Sequence, residues 1–184
     1  VTLADRKADA RRAALLRRKL AYETRPPGQA GYLSEVLAGY RGVPMAGYMP
    51  MRTEIDPLAA MAEASAHGPV GVPVIRGAGQ PLVFSLWEPD CALIEGPFGA
   101  RIPAEERLME PEIVILPLVA FTRAGDRLGY GGGFYDRTLE GLRSRRAIMA
   151  IGFAFAGQEA EDLPTEPTDQ RLDLIVTETG IITP

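Results

Sequence analysis

The segment Arg127-Leu-Gly-Tyr-Gly-Gly-Gly-Phe-Tyr-Asp-Arg137 gathers the residue types that bind phosphate and hard cations. Gly131, Gly132 and Gly133 have no Cβ, so the backbone can turn through positive φ and lie close against a ligand. With a helix beginning at Phe134, unpaired N–H groups point outward at its start and the helix dipole favours an anion there. Arg127 and Arg137 add positive charge on either side of the loop. Asp136, in the first helical turn, suits either that turn or a cation such as Mg²⁺. These residues read as a phosphate cradle with a metal ligand attached. Two common nucleotide motifs are excluded. No G-x-x-x-x-G-K-[ST] occurs, and Phe134 stands where G-x-G-x-x-G needs glycine.

Other candidates lie far off in sequence. Lys7 and Arg11 are four apart on a helical pattern and share a face, so they could clamp a polyphosphate, one as a point charge and one as a fork. Glu54 falls in a loop after a strand-like run, the end at which ligands gather in open α/β sheets, and could accept N–H donors from a heteroaromatic ring. Asp169, just before the last strand, could join Asp136 as a second carboxylate for Mg²⁺. The residues alone leave plainer readings open: a flexible glycine turn, a helix-start carboxylate at Asp136, a solvated basic face at Lys7 and Arg11, and an exposed acid at Glu54.

The elements that must position these groups alternate along the chain. A helix rich in Ala, Leu, Arg and Lys spans about 2–22 and ends at Arg25-Pro-Pro-Gly. A short helix over 32–40 and a strand over 43–49 follow, then a helix from Pro57 to Ala66 with Asp56 as N-cap. Strands are expected at 71–75 and 81–87, with a turn-rich stretch up to Glu112. Ile113–Phe121 reads as one buried strand, Phe134–Leu142 as a helix, and 146–155 and 172–177 as strands. This alternation implies a single three-layer α/β domain over 1–184, with a mainly parallel sheet covered by helices on both faces.

Composition narrows the function. The 184 residues carry 46% hydrophobic and 24% charged residues and a formal charge of −4, ordinary for a globular protein and unlike a nucleic-acid coat. One cysteine, Cys91, leaves no internal disulfide. One histidine, His67, leaves no multi-histidine metal site, and its place before Gly68-Pro69 suits a helix end better than a catalytic triad. No apolar run approaches the roughly 18 residues of a membrane span, and the charged N-terminus does not read as a signal peptide. A cytoplasmic protein is expected, without membrane or nucleic-acid partners.

The run Leu116-Pro-Leu-Val-Ala-Phe through Arg127-Leu-Gly-Tyr-Gly-Gly-Gly-Phe-Tyr-Asp136 resembles the 5-formyltetrahydrofolate cyclo-ligase family, also called methenyltetrahydrofolate synthetases. Lys7-x-x-x-Arg11, Met49 with Glu54, Gln158, Asp169 and Ile175-Val-Thr-Glu178 are similar to further family patterns, in order, over nearly the whole chain. The resemblance implies a Rossmann-like domain, a monomer or weak dimer, that uses ATP and Mg²⁺ to close 5-formyltetrahydrofolate to 5,10-methenyltetrahydrofolate. It assigns Lys7, Arg11 and Arg127 to catalysis and, with Leu128, Gly129, Tyr130, Gly131, Gly132, Gly133, Phe134 and Tyr135, to ATP. It assigns Met49, Glu54, Tyr130, Gly131 and Phe134 to the folate, and Asp136 and Asp169 to Mg²⁺. Two departures stand out: Thr168 precedes Asp169 where the family often has His or Asn, and Phe98–Glu105 replaces a Gly-Ile-x-Glu-Pro segment. Rival readings are a phosphate-binding isomerase or acyl-transfer enzyme on a similar sheet, or a nucleotide- or RNA-binding module using the first helix with Arg143, Arg145 and Arg146.

Overall fold

The computed structural model describes all residues from Val1 to Pro184. Helix α1 (Leu3–Glu23) and α2 (Gly31–Ala38) lead into strand β1 (Met45–Ala46), α3 (Leu58–Ser65), β2 (Val70–Val74) and β3 (Val83–Leu86). A hairpin of β4 (Leu93–Glu95) and β5 (Arg101–Pro103) precedes β6 (Leu108–Met109) and the central β7 (Ile113–Pro117). A second hairpin, β8 (Ala120–Phe121) with β9 (Arg127–Leu128), leads to α4 (Phe134–Arg143). Strands β10 (Met149–Phe153), β11 (Leu174–Val176) and β12 (Ile181–Ile182) complete the chain.

Eight strands form one sheet in the order β12-β11-β10-β7-β1-β2-β3-β6. The five from β11 to β2 are parallel, and β12, β3 and β6 pair antiparallel at the margins, so the sheet is mainly parallel as expected. Alternation along β7 builds both cores, because successive side chains point to opposite faces. Ile113 and Ile115 pack with Leu33 and Leu37 of α2 and Met61 of α3. Val114 and Leu116 pack with Leu139 and Leu142 of α4 on the other face. No helix is long and apolar enough to cross a membrane.

Four local expectations change. Ile113–Phe121 is not one strand: β7 stops at Pro117, and β8 leaves the main sheet to pair with β9. Only Met45–Ala46 of the expected 43–49 strand makes ladder bonds. Pro57 is the residue flanking α3, while the Asp56 carboxylate still accepts from Leu58 N at 2.8 Å, so the cap acts one residue earlier. Helix α1, with Thr2 and Asp5 forming a reciprocal cap, reaches the α2–α3 core only through Ala21 and Tyr22 at its end. Its Ala14 packs instead with Val119, Ala120 and Leu128 of the β8–β9 region, beyond the end of β7.

Candidate active site

The parallel strands β1, β2 and β7 end along one edge of the sheet, and a cavity of about 780 Å³ opens there. Tyr48 and Met49 line it beyond β1, Ile75 beyond β2, and Pro117 at the end of β7. The glycine loop, the start of α4 and the first turns of α1 close it. Every residue to which the family resemblance gave a role borders this one space, from Lys7 and Arg11 through Met49, Glu54 and Arg127–Asp136 to Asp169.

The loop is shaped as its composition requires. Gly131 has φ 103° and Gly133 φ 70°, the left-handed region that a Cβ makes costly. Gly133 flanks α4 with no side chain capping that end. None of the N–H groups from Gly129 to Gly133 donates a hydrogen bond within the protein. Arg11 Nε donates to Gly129 O at 2.8 Å, and its guanidinium lies 3.3 Å from where a Cβ on Gly131 would stand. Glycine is thus needed at 131 for its dihedral, and a Cβ there would press on the Arg11 guanidinium.

The cations and carboxylates are not free as expected. Lys7 Nζ donates to Glu166 at 2.8 Å and to Asp169 at 3.1 Å. Burial by itself would lower the Lys7 pKa, yet these two carboxylates outweigh it and the net shift is upward. Arg127, only 8% exposed, donates to Asp136 and, at 3.2 Å, to Gln170 O. Burial lowers its pKa, opposed first by the charge of Asp136 and then by that of Asp169. Each expected metal ligand is therefore bonded to a protein cation, and no cluster of three or more Asp, Glu, His or Cys assembles. Two carboxylates still match the donor chemistry of Mg²⁺, which takes one or two and leaves its other positions to water and phosphate oxygens.

At the other end Glu54 is a buried group rather than an exposed acid, 6% accessible. Its carboxylate accepts from Met51 N at 2.8 Å and from Tyr130 OH at 2.9 Å. Burial raises its pKa, while Met51, Tyr130, Arg18 and Arg52 hold it down. Burial, followed by the Glu54 charge, pushes the Tyr130 hydroxyl up to about 12, so it stays a donor. Burial and then the same charge raise Tyr135 as well. Tyr48 OH donates to Ile55 O at 2.6 Å and ties the Glu54 loop to the end of β1.

Arg18 was missed as a site residue. It is 1% exposed, and it donates to Tyr130 OH at 2.6 Å, Thr53 Oγ1 at 2.9 Å and Leu118 O at 3.3 Å. The signal was present: Lys7, Arg11, Ala14 and Arg18 follow a 4-3-4 spacing and form one stripe of α1. Other residues lie apart from the cavity. His67 is exposed at the end of α3, and Trp87 belongs to the core. Gln158 is a buried brace, its amide donating to Leu118 O at 2.7 Å. Glu106 pairs with Arg76 at 2.9 Å, whereas Thr168 does border the cavity. Arg143 pairs with Asp173, and Arg145 and Arg146 share Glu110, so the RNA-binding reading keeps mainly the exposed cations of the first helix.

Comparison with known proteins decides the family. The sequence model described as the 5-formyltetrahydrofolate cyclo-ligase family matches residues 34–178. The chain belongs to that family. A cyclo-ligase of Mycolicibacterium smegmatis is 30% identical over 183 residues, covering 93% of each chain. The Haemophilus influenzae cyclo-ligase is 40% identical over 101 residues, where the match spans 52% of this chain and 54% of that relative. In structure, the chain is similar to the Aquifex aeolicus 5,10-methenyltetrahydrofolate synthetase, with a TM-score of 0.72 at 27% identity over 96% of this chain and 92% of the other. A Mycoplasma pneumoniae synthetase shares the fold with a TM-score of 0.66 at 22% identity, covering 94% of this chain and 98% of that one. The cyclo-ligase family is one of enzymes, of the ligase class, and its matched region contains every cavity group named above except those on α1.

Proposed function

We propose that this chain converts 5-formyltetrahydrofolate and ATP to 5,10-methenyltetrahydrofolate, ADP and phosphate, with Mg²⁺ required. The observation that carries this reading is the meeting of two unlike ends in one cavity. The unbonded amides of Gly129–Gly133, beside Arg11, suit a polyphosphate, and the buried Glu54 carboxylate suits the adjacent N–H donors of a pterin.

A formamide oxygen leaves poorly, so it must be activated. In the proposed reaction the formyl oxygen attacks the γ-phosphorus, and the bond to the bridging oxygen breaks to release ADP. N10 then attacks the activated carbon and gives up its proton as the C–O bond breaks and phosphate departs. Phosphoryl transfer depends on positioning and charge neutralisation more than on a side-chain nucleophile, which suits a site with neither His nor Cys at its walls. Lys7, Arg11 and Arg127 neutralise phosphoryl charge, and the loop amides hold its oxygens. Leu128, Tyr130, Phe134 and Tyr135 line the nucleotide side, and Met49 lies against the pterin held by Glu54. Asp136 and Asp169 would hold Mg²⁺, which when bound spreads the negative charge of the phosphate oxygens.

The test is the absorbance of methenyltetrahydrofolate with ATP and Mg²⁺ present together or omitted singly. Product is expected only when both are present. Equal product without ATP would overturn the reading.

A further inference from the structure

Arg18 is the largest of the fully buried side chains, and none of its three hydrogen-bond partners is a carboxylate. A buried guanidinium is costly unless its charge is compensated nearby. The compensation lies one step away. Tyr130 OH accepts from Arg18 Nη1 at 2.6 Å and donates to Glu54 Oε2 at 2.9 Å. Arginine offers no acceptor, so the phenol oxygen must accept from Arg18 and its single proton is left for Glu54. The direction of the row is thereby fixed, from Arg18 through Tyr130 to the carboxylate.

The same guanidinium holds the surroundings of Glu54. Its Nε donates to Thr53 Oγ1 at 2.9 Å, on the residue before Glu54, and Nη1 also reaches Leu118 O at 3.3 Å, just beyond β7. One side chain of α1 therefore ties the Glu54 loop, the chain after β7 and the glycine loop together. Arg18 borders no part of the cavity, so it acts on a bound molecule only through these partners. Arg11, two turns earlier on α1, meets the glycine loop separately, at Gly129 O. The other charged or titratable groups facing Glu54 are Arg52, Tyr48, Tyr130 and Tyr135. Arg52 is exposed, which leaves Arg18 as the buried cation acting on this carboxylate.

We propose that Arg18 is a positioning residue for the folate: through Tyr130 and Thr53 it fixes the Glu54 carboxylate in place and in its accepting form, ready for the N–H donors of the pterin. ATP is held without it. This assignment rests on the folate reading above.

The experiment measures kcat and both KM values across pH for wild type, Arg18→Met and Arg18→Lys, with 5-formyltetrahydrofolate and ATP varied in turn. Arg18→Met should raise KM for the folate about tenfold, the effect of one lost hydrogen bond from a charged group. Its kcat and its KM for ATP should change less than about twofold. The acid limb of kcat/KM for the folate should move to higher pH, because a cation favouring the charged carboxylate is gone. Arg18→Lys keeps the charge without the planar fork, so it should restore the limb and part of the KM. In a Glu54→Gln background, Arg18→Met should raise the folate KM by less than about twofold more, since its effect passes through that carboxylate. Should Arg18→Met fail to fold, Arg18→Lys decides, through a folate KM raised about threefold at unchanged KM for ATP. A folate KM that stays in place, an equal loss in the Glu54→Gln background, or a KM for ATP that rises in its stead would overturn the assignment and leave the folate reading standing. A wild type that does not turn over 5-formyltetrahydrofolate would overturn that reading, and this role with it.

Discussion

The two working ends of the cavity are held by different physics. At the nucleotide end, Lys7 and Arg127 clasp Asp169, Glu166 and Asp136 in pairs whose carboxylates keep 17–44% side-chain exposure. At the pterin end Glu54, Tyr130 and Arg18 form a chain of hydrogen bonds of 2.6–2.9 Å, anchored by an arginine that is 1% exposed. The Lys7 pairs, whose Glu166 partner is well exposed, can yield to a triphosphate at modest cost, whereas Arg127 is buried with Asp136 and keeps its pair. A chain whose two ends, Glu54 and Arg18, are buried cannot be undone without leaving desolvated groups unpaired, and so stays in place before substrate arrives. One end trades partners during the reaction and the other is built in advance. Mutations should therefore separate activity from stability at the first end and couple them at the second.

The sharpest break is expected at Lys7. Lys7→Met removes a charge that neutralises the moving phosphoryl group, a role worth on the order of 10³-fold in rate for comparable cations. Its contacts join a side chain 11% exposed to carboxylates 44% and 17% exposed, and contribute on the order of 1 kcal/mol to folding. Steady-state kcat should fall by about that rate factor, and thermal denaturation should shift by only a few degrees. A large drop in Tm with nearly intact kcat would reverse the comparison, making this end the structural one.

Tyr130→Phe should act on both properties, more modestly. It leaves one oxygen of Glu54 and one donor of Arg18 unsatisfied, at a cost of about 1–3 kcal/mol in stability. The hydroxyl also lowers the Glu54 pKa, against the dominant upward push of burial, so its loss raises that pKa further. The sign follows from linkage. A carboxyl whose folded pKa is above its unfolded value makes stability decline as pH rises from the unfolded value through the folded one. The stability deficit of the variant should thus be larger above that range than below it. Ionised Glu54 is the form that accepts pterin N–H groups, so the acid limb of kcat/KM for the folate should move to higher pH. A limb that stays in place would separate Glu54 from the pterin.

Much of this arrangement can be read from residue order, and the remainder fails for identifiable reasons. The unbroken apolar run Ile113–Leu116 announces a strand buried on both faces, and the glycines before Phe134 announce a turn that L side chains resist. The break after β7 is hidden because burial continues across it. Leu118 and Phe121 stay in the α4-side core, Val119 and Ala120 are covered by Ala14 of α1, and Gln158 braces the backbone of Leu118 and Val119. Arg18 reads as one more cation on a basic helix because its partners Thr53, Leu118 and Tyr130 lie 35, 100 and 112 residues away. Asp136 and Asp169 are recognisable as an acidic pair, yet their bonds to Arg127 and Lys7 depend on where α1 and β9 come to rest. Local pattern encodes the elements, whereas long-range packing decides which charges meet.

Glu166 refines the comparison with the smallest effect. It is 44% exposed, and its contact with Lys7 is, at 2.8 Å, the shorter of that lysine's two ion pairs. A triphosphate arriving at Lys7 must compete with both carboxylates. Glu166→Gln removes one competitor and leaves Asp169 to keep the lysine in position. The KM for ATP should then fall about two- to threefold at low ionic strength, corresponding to the ~0.5 kcal/mol of a partly exposed pair. The difference should shrink above 0.3 M salt, where screening acts within a few ångströms. If KM for ATP rises instead, Glu166 orients Lys7 rather than competing for it, and the nucleotide end is more pre-built than its exposure suggests.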